Sequence, residues 1–278
     1  NKIFKVVWSK TKECYVVVSE VAKNNGGKKK VLASVLAGFA MAGMFANSTQ
    51  AAYEQWGGHA SSTVESIALG PDTWAQNDAA VAIGMHNNAN GTAPGKYSVA
   101  LGSWANANGA SSVALGASVN AKGYLAVAVG YQASANDEAA VALGNQVVAD
   151  KNSTAVGPGT KANGTYSFAG GYQSETTGQS GVALGDNAKS KAARAIAIGG
   201  HAEATAEKAI AIGGDIGDTT TKNTKTTASG KNAVAIGNAS QATTNDALAV
   251  GSEATASGLN ASAVGKNSKA SGQSAAAF

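Results

Sequence analysis

The side chains able to ligate a metal or attack a carbonyl are few and far apart in this 278-residue chain. His59, His86 and His201 are its three histidines, and none has a second His or Cys at the short spacing a zinc site uses. The acidic residues are scattered, and no aspartate recurs with the regularity of a calcium-binding roll. Three glycine-rich segments invite a nucleotide reading. "GPGTKANG" (157–164) lacks the spacing and the helix of a dinucleotide loop, while "SGKN" (229–232) and "VGKN" (264–267) lack the Ser or Thr that a phosphate loop needs after its lysine. No Ser, His and Asp constellation can be assembled either. The sequence therefore offers no catalytic, cofactor-binding or metal-binding residue, and the "NST" at Asn152 and "NGT" at Asn163 are what chance gives in a text so rich in Asn and Ser.

What does recur is a short apolar phrase closed by glycine, as in "SVALG" and "AVAVG" within 110–130. The closing glycines are Gly70, Gly84, Gly102, Gly116, Gly130, Gly144, Gly157, Gly171, Gly185, Gly199, Gly213, Gly237, Gly251 and Gly265, and most neighbours differ by 14. The exceptions are an insertion around "NGTAPGKY", a one-residue deletion before Gly157 and a longer insertion loop placed at 214–232. A fixed internal period outranks other fold signals. In the unit "SWANANGASSVALG" (103–116), Val113 and Leu115 alternate with Ala114, and Ala105 and Ala107 alternate with Trp104, Asn106 and Asn108. Both halves thus have the period of a strand. Two strands and two tight turns in one period leave no room for a crossover helix, so the chain must coil, each strand pairing in parallel with its equivalent one turn earlier.

The middle of the phrase is always alanine: Ala68, Ala82, Ala100, Ala114, Ala128, Ala142, Ala155, Ala169, Ala183, Ala197, Ala211, Ala235, Ala249 and Ala263. The flanking slots are bulky, except in "SFAGG", where a large Phe168 accompanies an empty Gly170, as two side chains filling one space would require. This pattern places the Val and Leu slots inside the coil against Ala105-type alanines. The strict alanines then point out of its back, as candidates for an interface with further copies of the chain. The opposite assignment, with Val and Leu at the subunit axis, is the alternative.

The N-terminal segment is a different text. Lys28, Lys29 and Lys30, the apolar run "VLASVLAGFAMAGMFA" and "STQAA" form the three regions of a secretory signal, with cleavage expected after Ala51. That segment should lie outside the roll, with helix as one form open to it. It carries 8 of the 21 basic and 2 of the 17 acidic residues, leaving 13 against 15 in the remainder. The remainder has no basic stripe for nucleic acid. The single cysteine, Cys14, leaves with the signal, so the exported chain must be stable without disulfides.

"NKIFKVVWSKTKECYVVVSEVAK" resembles the extended signal region of large Gram-negative autotransporters, and "SVALGASVNAKG" resembles the head repeat of trimeric autotransporter adhesins of the YadA type. The resemblance implies a left-handed parallel β-roll of about fifteen 14-residue coils. It also implies a homotrimeric head, and attachment to host matrix or cells from the outer membrane through an anchor that would follow Phe278. The domain reading is 1–51 signal, 52–65 lead-in and 66–278 roll. Collagen, fibronectin, laminin or a cell-surface receptor would suit as partner. Contact energy on such a surface is expected from exposed outward residues, with candidates His86, Trp104, Asn106, Tyr131, Gln132, Tyr172, Gln173 and His201. A structural or ice-binding solenoid is the alternative, and it would present a repeated outward Thr row. An enzyme would need a cluster on successive coils that the sequence lacks.

Overall fold

The computed structural model describes the backbone of Phe4–Ser9 and Cys14–Ser19 and residues 53–60, 65–89, 97–214 and 225–278. Two units divide the chain, Asn1–Thr49 and Gln50–Phe278. In the first, Phe4–Ser9 and Cys14–Ser19 pair antiparallel, with Trp8 opposite Tyr15 and Val6 opposite Val17. Helix is not the form this part takes. Its β-branched run "YVVV" prefers the pleated backbone, where branching at Cβ costs no rotamer freedom. The apolar run and the Ala51 cleavage position lie outside the described residues.

The second unit is a parallel β-solenoid with no helix among the described residues. Its phrase strands form one sheet of 16, from Tyr53–Gln55 to Ala276–Ala277, and its shorter return strands a second sheet of 15. Register follows the sequence period: Val113, Ala114, Leu115 and Gly116 pair with Val127, Ala128, Val129 and Gly130, and Asn106 and Ala107 with Asn120 and Ala121. At about 4.8 Å per strand, the phrase sheet extends for roughly 70 Å.

Length changes are absorbed at the turns. The coil that ends at Gly157 is one residue short, and the ladder nonetheless holds Ala142 to Ala155. Its turn closes through Ser153 N donating to Asp150 O, where the preceding coil uses Ala140 N and Asp137 O. The longer insertion is narrower than 214–232, because Thr227–Ala228 is a regular return strand paired with Glu203–Ala204, and Asn232 sits in the ordinary turn. Only 215–224 falls outside the described residues there.

Burial reverses the face assignment made from sequence. All fourteen phrase alanines, Ala68, Ala82, Ala100, Ala114, Ala128, Ala142, Ala155, Ala169, Ala183, Ala197, Ala211, Ala235, Ala249 and Ala263, are 0% exposed within the single chain. They line the inside of the coil with Ala105, Ala107 and Ser112 of the same turn, which are equally buried. Their side chains cannot reach another subunit. The reason is volume: a coil this short brings its two sheets so close at the phrase alanines that only a methyl group fits there, while the Ala105 slot near the corner also takes the fully buried Val119 and Val147. Where the return strand carries a larger side chain, its neighbours compensate. Ser190 lies opposite Gly181, where an added Cβ would stand 2.7 Å from its Oγ. Thr176 donates to Ser167 Oγ at 2.8 Å.

The Val and Leu slots consequently face outward. Ile67, Ile83, Leu184 and Ile236 are 37–45% exposed, in two adjacent columns that run along the phrase sheet, Ile67 in the first and the other three in the second. Phe168 and Gly170 do share one space, on this outer face. A Cβ at Gly170 would meet the Phe168 ring at 3.1 Å and Leu184 Cδ1 at 3.1 Å.

Candidate functional site

The two sheets present chemically opposite outer faces. The phrase sheet shows the apolar columns just described. The return sheet shows Trp74, Asn88, Asn106, Asn120, Ser134, Val148, Lys161, Glu175, Lys189 and Glu203 in successive register, a mostly polar row that runs from an Asn ladder to alternating Lys and Glu.

Five of the eight candidate contact residues stand at the corner after the phrase, in the left-handed backbone region: His86 (φ 53°), Trp104 (φ 59°), Gln132 (φ 53°), Gln173 (φ 49°) and His201 (φ 59°). Each makes its main-chain bond to the previous coil, as when Trp104 N donates to Met85 O at 2.9 Å and Gln132 N to Ala117 O at 2.9 Å. The fold accepts ordinary side chains there because the inter-coil bonds hold a conformation that costs an isolated L-residue about 1–2 kcal/mol. Tyr131 and Tyr172, one position earlier, are 51% and 53% exposed. Asn106 belongs to the return strand, where its Nδ2 donates to Asn120 Oδ1 at 3.2 Å.

The structure brings some of these together. His86 stacks on Trp104 with ring centroids 4.4 Å apart, and its Nδ1 lies 3.3 Å from Asp72 Oδ2. Beside this column His59 stacks on Trp74 at 4.1 Å. Gln132 accepts from Gln146 Nε2 at 3.1 Å. Gln173 instead lies in a shallow polar groove with Gln146, Lys161, Glu175, Asn187 and Lys189, opened by Gly159, which offers no side chain at its corner. His201 stands apart from both groups, at the corner between Asn187 and the insertion. Sequence reasoning missed the His59–Trp74 stack, whose offset is 15 rather than 14, and missed Asp72, although its 14-residue offset to His86 was there to find.

Charge pairs decorate the return side further along. Lys191 donates to Glu203, with Lys225 Nζ 3.5 Å from the other oxygen, and together they hold the Glu203 carboxyl below the usual carboxylate range. Lys231 at 3.2 Å and Arg194 at 2.7 Å do the same for Glu207. Glu138 raises the Lys151 ammonium. Among the described residues no three His, Cys, Asp or Glu side chains gather as a metal site would.

Residues 1–47 match the extended signal peptide of the type V secretion system, and the YadA head domain repeat matches from 64–87 through 256–278, covering most of the roll. No curated protein matches the chain. A coil of this period, read with both matches, places the chain in the family of trimeric autotransporter adhesins with a YadA-like head. It is an exported protein of the cell surface.

Proposed function

We propose that this roll is the head of a homotrimeric adhesin on a Gram-negative outer membrane, attaching the cell to host matrix proteins of the collagen, fibronectin or laminin type or to a cell-surface receptor. The observation that carries the reading is the segregation of faces. One sheet carries two adjacent columns of half-exposed Ile, Leu, Val and Phe, interrupted at Thr154 and Gly170, and the other a varied polar and aromatic surface. An apolar face of this length is larger than soluble single chains normally expose. Copies of the same chain about an axis would cover it, leaving three equal polar faces outward.

Attachment then works by area and multiplicity. Weak contacts repeated on three faces add as avidity, which can exceed any single affinity by about 10²–10⁴. Beads coated with the chain should adhere to immobilised matrix protein, and Trp104→Ala or Tyr131→Ala should weaken adhesion modestly. Complete loss of adhesion from either change, with mass in solution preserved, would instead locate binding in a single pocket.

A further inference from the structure

The His86 and Trp104 rings begin a stack that the protein does not continue. The corner positions of successive coils, Asp72, His86, Trp104, Ser118, Gln132 and Gln146, follow one another along the roll, tied by main-chain bonds such as Ser118 N to Ser103 O at 2.8 Å. His86 covers one face of Trp104. The next position along is Ser118, too short to cover the other face, and Trp104 is 56% exposed. Beyond Ser118, Gln132 is held in place by Gln146 at 3.1 Å.

The dimensions of the gap select its occupant. Equivalent positions two coils apart are about 9–10 Å apart. A ring sandwiched between two surfaces at van der Waals contact needs roughly 7–8 Å. One ring fits over Ser118. Its sides are bordered by amides: Asn106 Nδ2 donates to Asn120 Oδ1 at 3.2 Å, and Asn120 Nδ2 lies 3.5 Å from Ser118 O, so both carboxamides are fixed beside the slot. An aromatic floor with carboxamide and hydroxyl edges suits a ring that is apolar on its face and hydroxylated at its rim. That ring is a pyranose, whose C–H face meets the electron-rich indole face while its hydroxyls reach amide donors and acceptors. The residues at the slot itself, Trp104, Ser118, Gln132, Asn106 and Asn120, are all uncharged, so nothing there selects a sulfated or carboxylated sugar.

We propose that Trp104, Ser118 and Gln132 form a subsite for a neutral pyranose of a host glycan. This rests on the adhesin reading and gives it a ligand class. The rest of the same corner row supplies the variants that test it. Gln stands at this corner in Gln132 and Gln146, and Ala stands there in Ala239, so Ser118→Gln and Trp104→Ala use side chains the fold already accepts.

The full chain and both variants would be titrated with methyl glycosides of glucose, galactose and N-acetylglucosamine by saturation-transfer NMR, and applied to an array of neutral oligosaccharides. We expect at least one neutral sugar to bind the parent, and each variant to weaken that binding about tenfold at an unchanged melting temperature. Absence of binding by the parent across the set, or binding unaltered in Ser118→Gln, overturns the subsite. Bead adhesion to matrix protein, run in parallel, separates the two readings. Adhesion without sugar binding removes the subsite alone, whereas sugar binding without adhesion to any matrix or cell surface removes the adhesin reading and leaves the subsite.

Discussion

Gly116 shows why one residue type cannot vary in this coil. Its φ is 129°, and a Cβ built there would lie 1.9 Å from the carbonyl oxygen of Gly130 in the next coil. Gly116→Ala should therefore cost at least about 1–3 kcal/mol, the range for a backbone forced from an unfavourable conformation, with further loss from the displaced coil. Thermal unfolding followed by circular dichroism would measure it. Ala114 is limited by volume in the same way. Ala114→Leu overpacks the interior by about 1–3 kcal/mol or more and should lower the melting temperature of the chain itself, whatever its state of association. Glu203 ties stability to pH. Its carboxyl is held down chiefly by the hydrogen bond from Lys191, against an opposing effect of burial that is next in size, and the charges of Lys191 and Lys225 add to the lowering. A carboxyl depressed in the folded state contributes stability above its ordinary pKa of 4.5 and loses it as pH falls through the lower folded value. Glu203→Gln should thus reduce stability at neutral pH and make little difference in strong acid. An equal deficit at both pH values would show that Glu203 acts through packing rather than charge.

At the level of strand and turn, the period alone tells most of the story, because each coil repeats the same pairing partners. Strand position, parallel register and the tolerance of the turn before Gly157 for a missing residue could all be read from "SVALG" and its spacing. The alternation of Val113 and Leu115 with Ala114 shows only that they face opposite ways. It does not say which way is inward. That depends on how far apart the two sheets stand, a property of the closed coil that no single strand contains. The compensation of Phe168 by Gly170 was legible as shared volume, and the same information could not place that volume on the outside. The corners were hidden for another reason. Gln132, His201 and Trp104 adopt a backbone that usually announces itself by glycine, and here the inter-coil bonds impose it on ordinary residues. The stacking of His86 on Trp104 was obscured by the insertion between Gly84 and Gly102, which breaks the 14-residue offset for that pair.

For the whole roll, the two faces make different demands on substitution. On the phrase sheet the half-exposed column from Leu69 through Leu184 to Ile236 has no polar side chain able to take up an introduced charge. On the return sheet Asn120 neighbours Asn106 and Ser134, whose amide and hydroxyl accommodate a carboxylate. Leu184→Glu should therefore dissociate the proposed trimer, since its three-fold axis would bring three carboxylates together in an apolar seam, where each unpaired buried charge costs several kcal/mol. The coil itself should survive, because position 184 already faces out of it and 45% of its surface is exposed in the single chain. Asn120→Asp, an equal change of charge on the other sheet, should leave association intact. Light scattering reads the mass and circular dichroism the fold of both variants. A Leu184→Glu chain that keeps the parent's mass would mean that subunits meet elsewhere, and the apolar column would then have to be covered by a different partner.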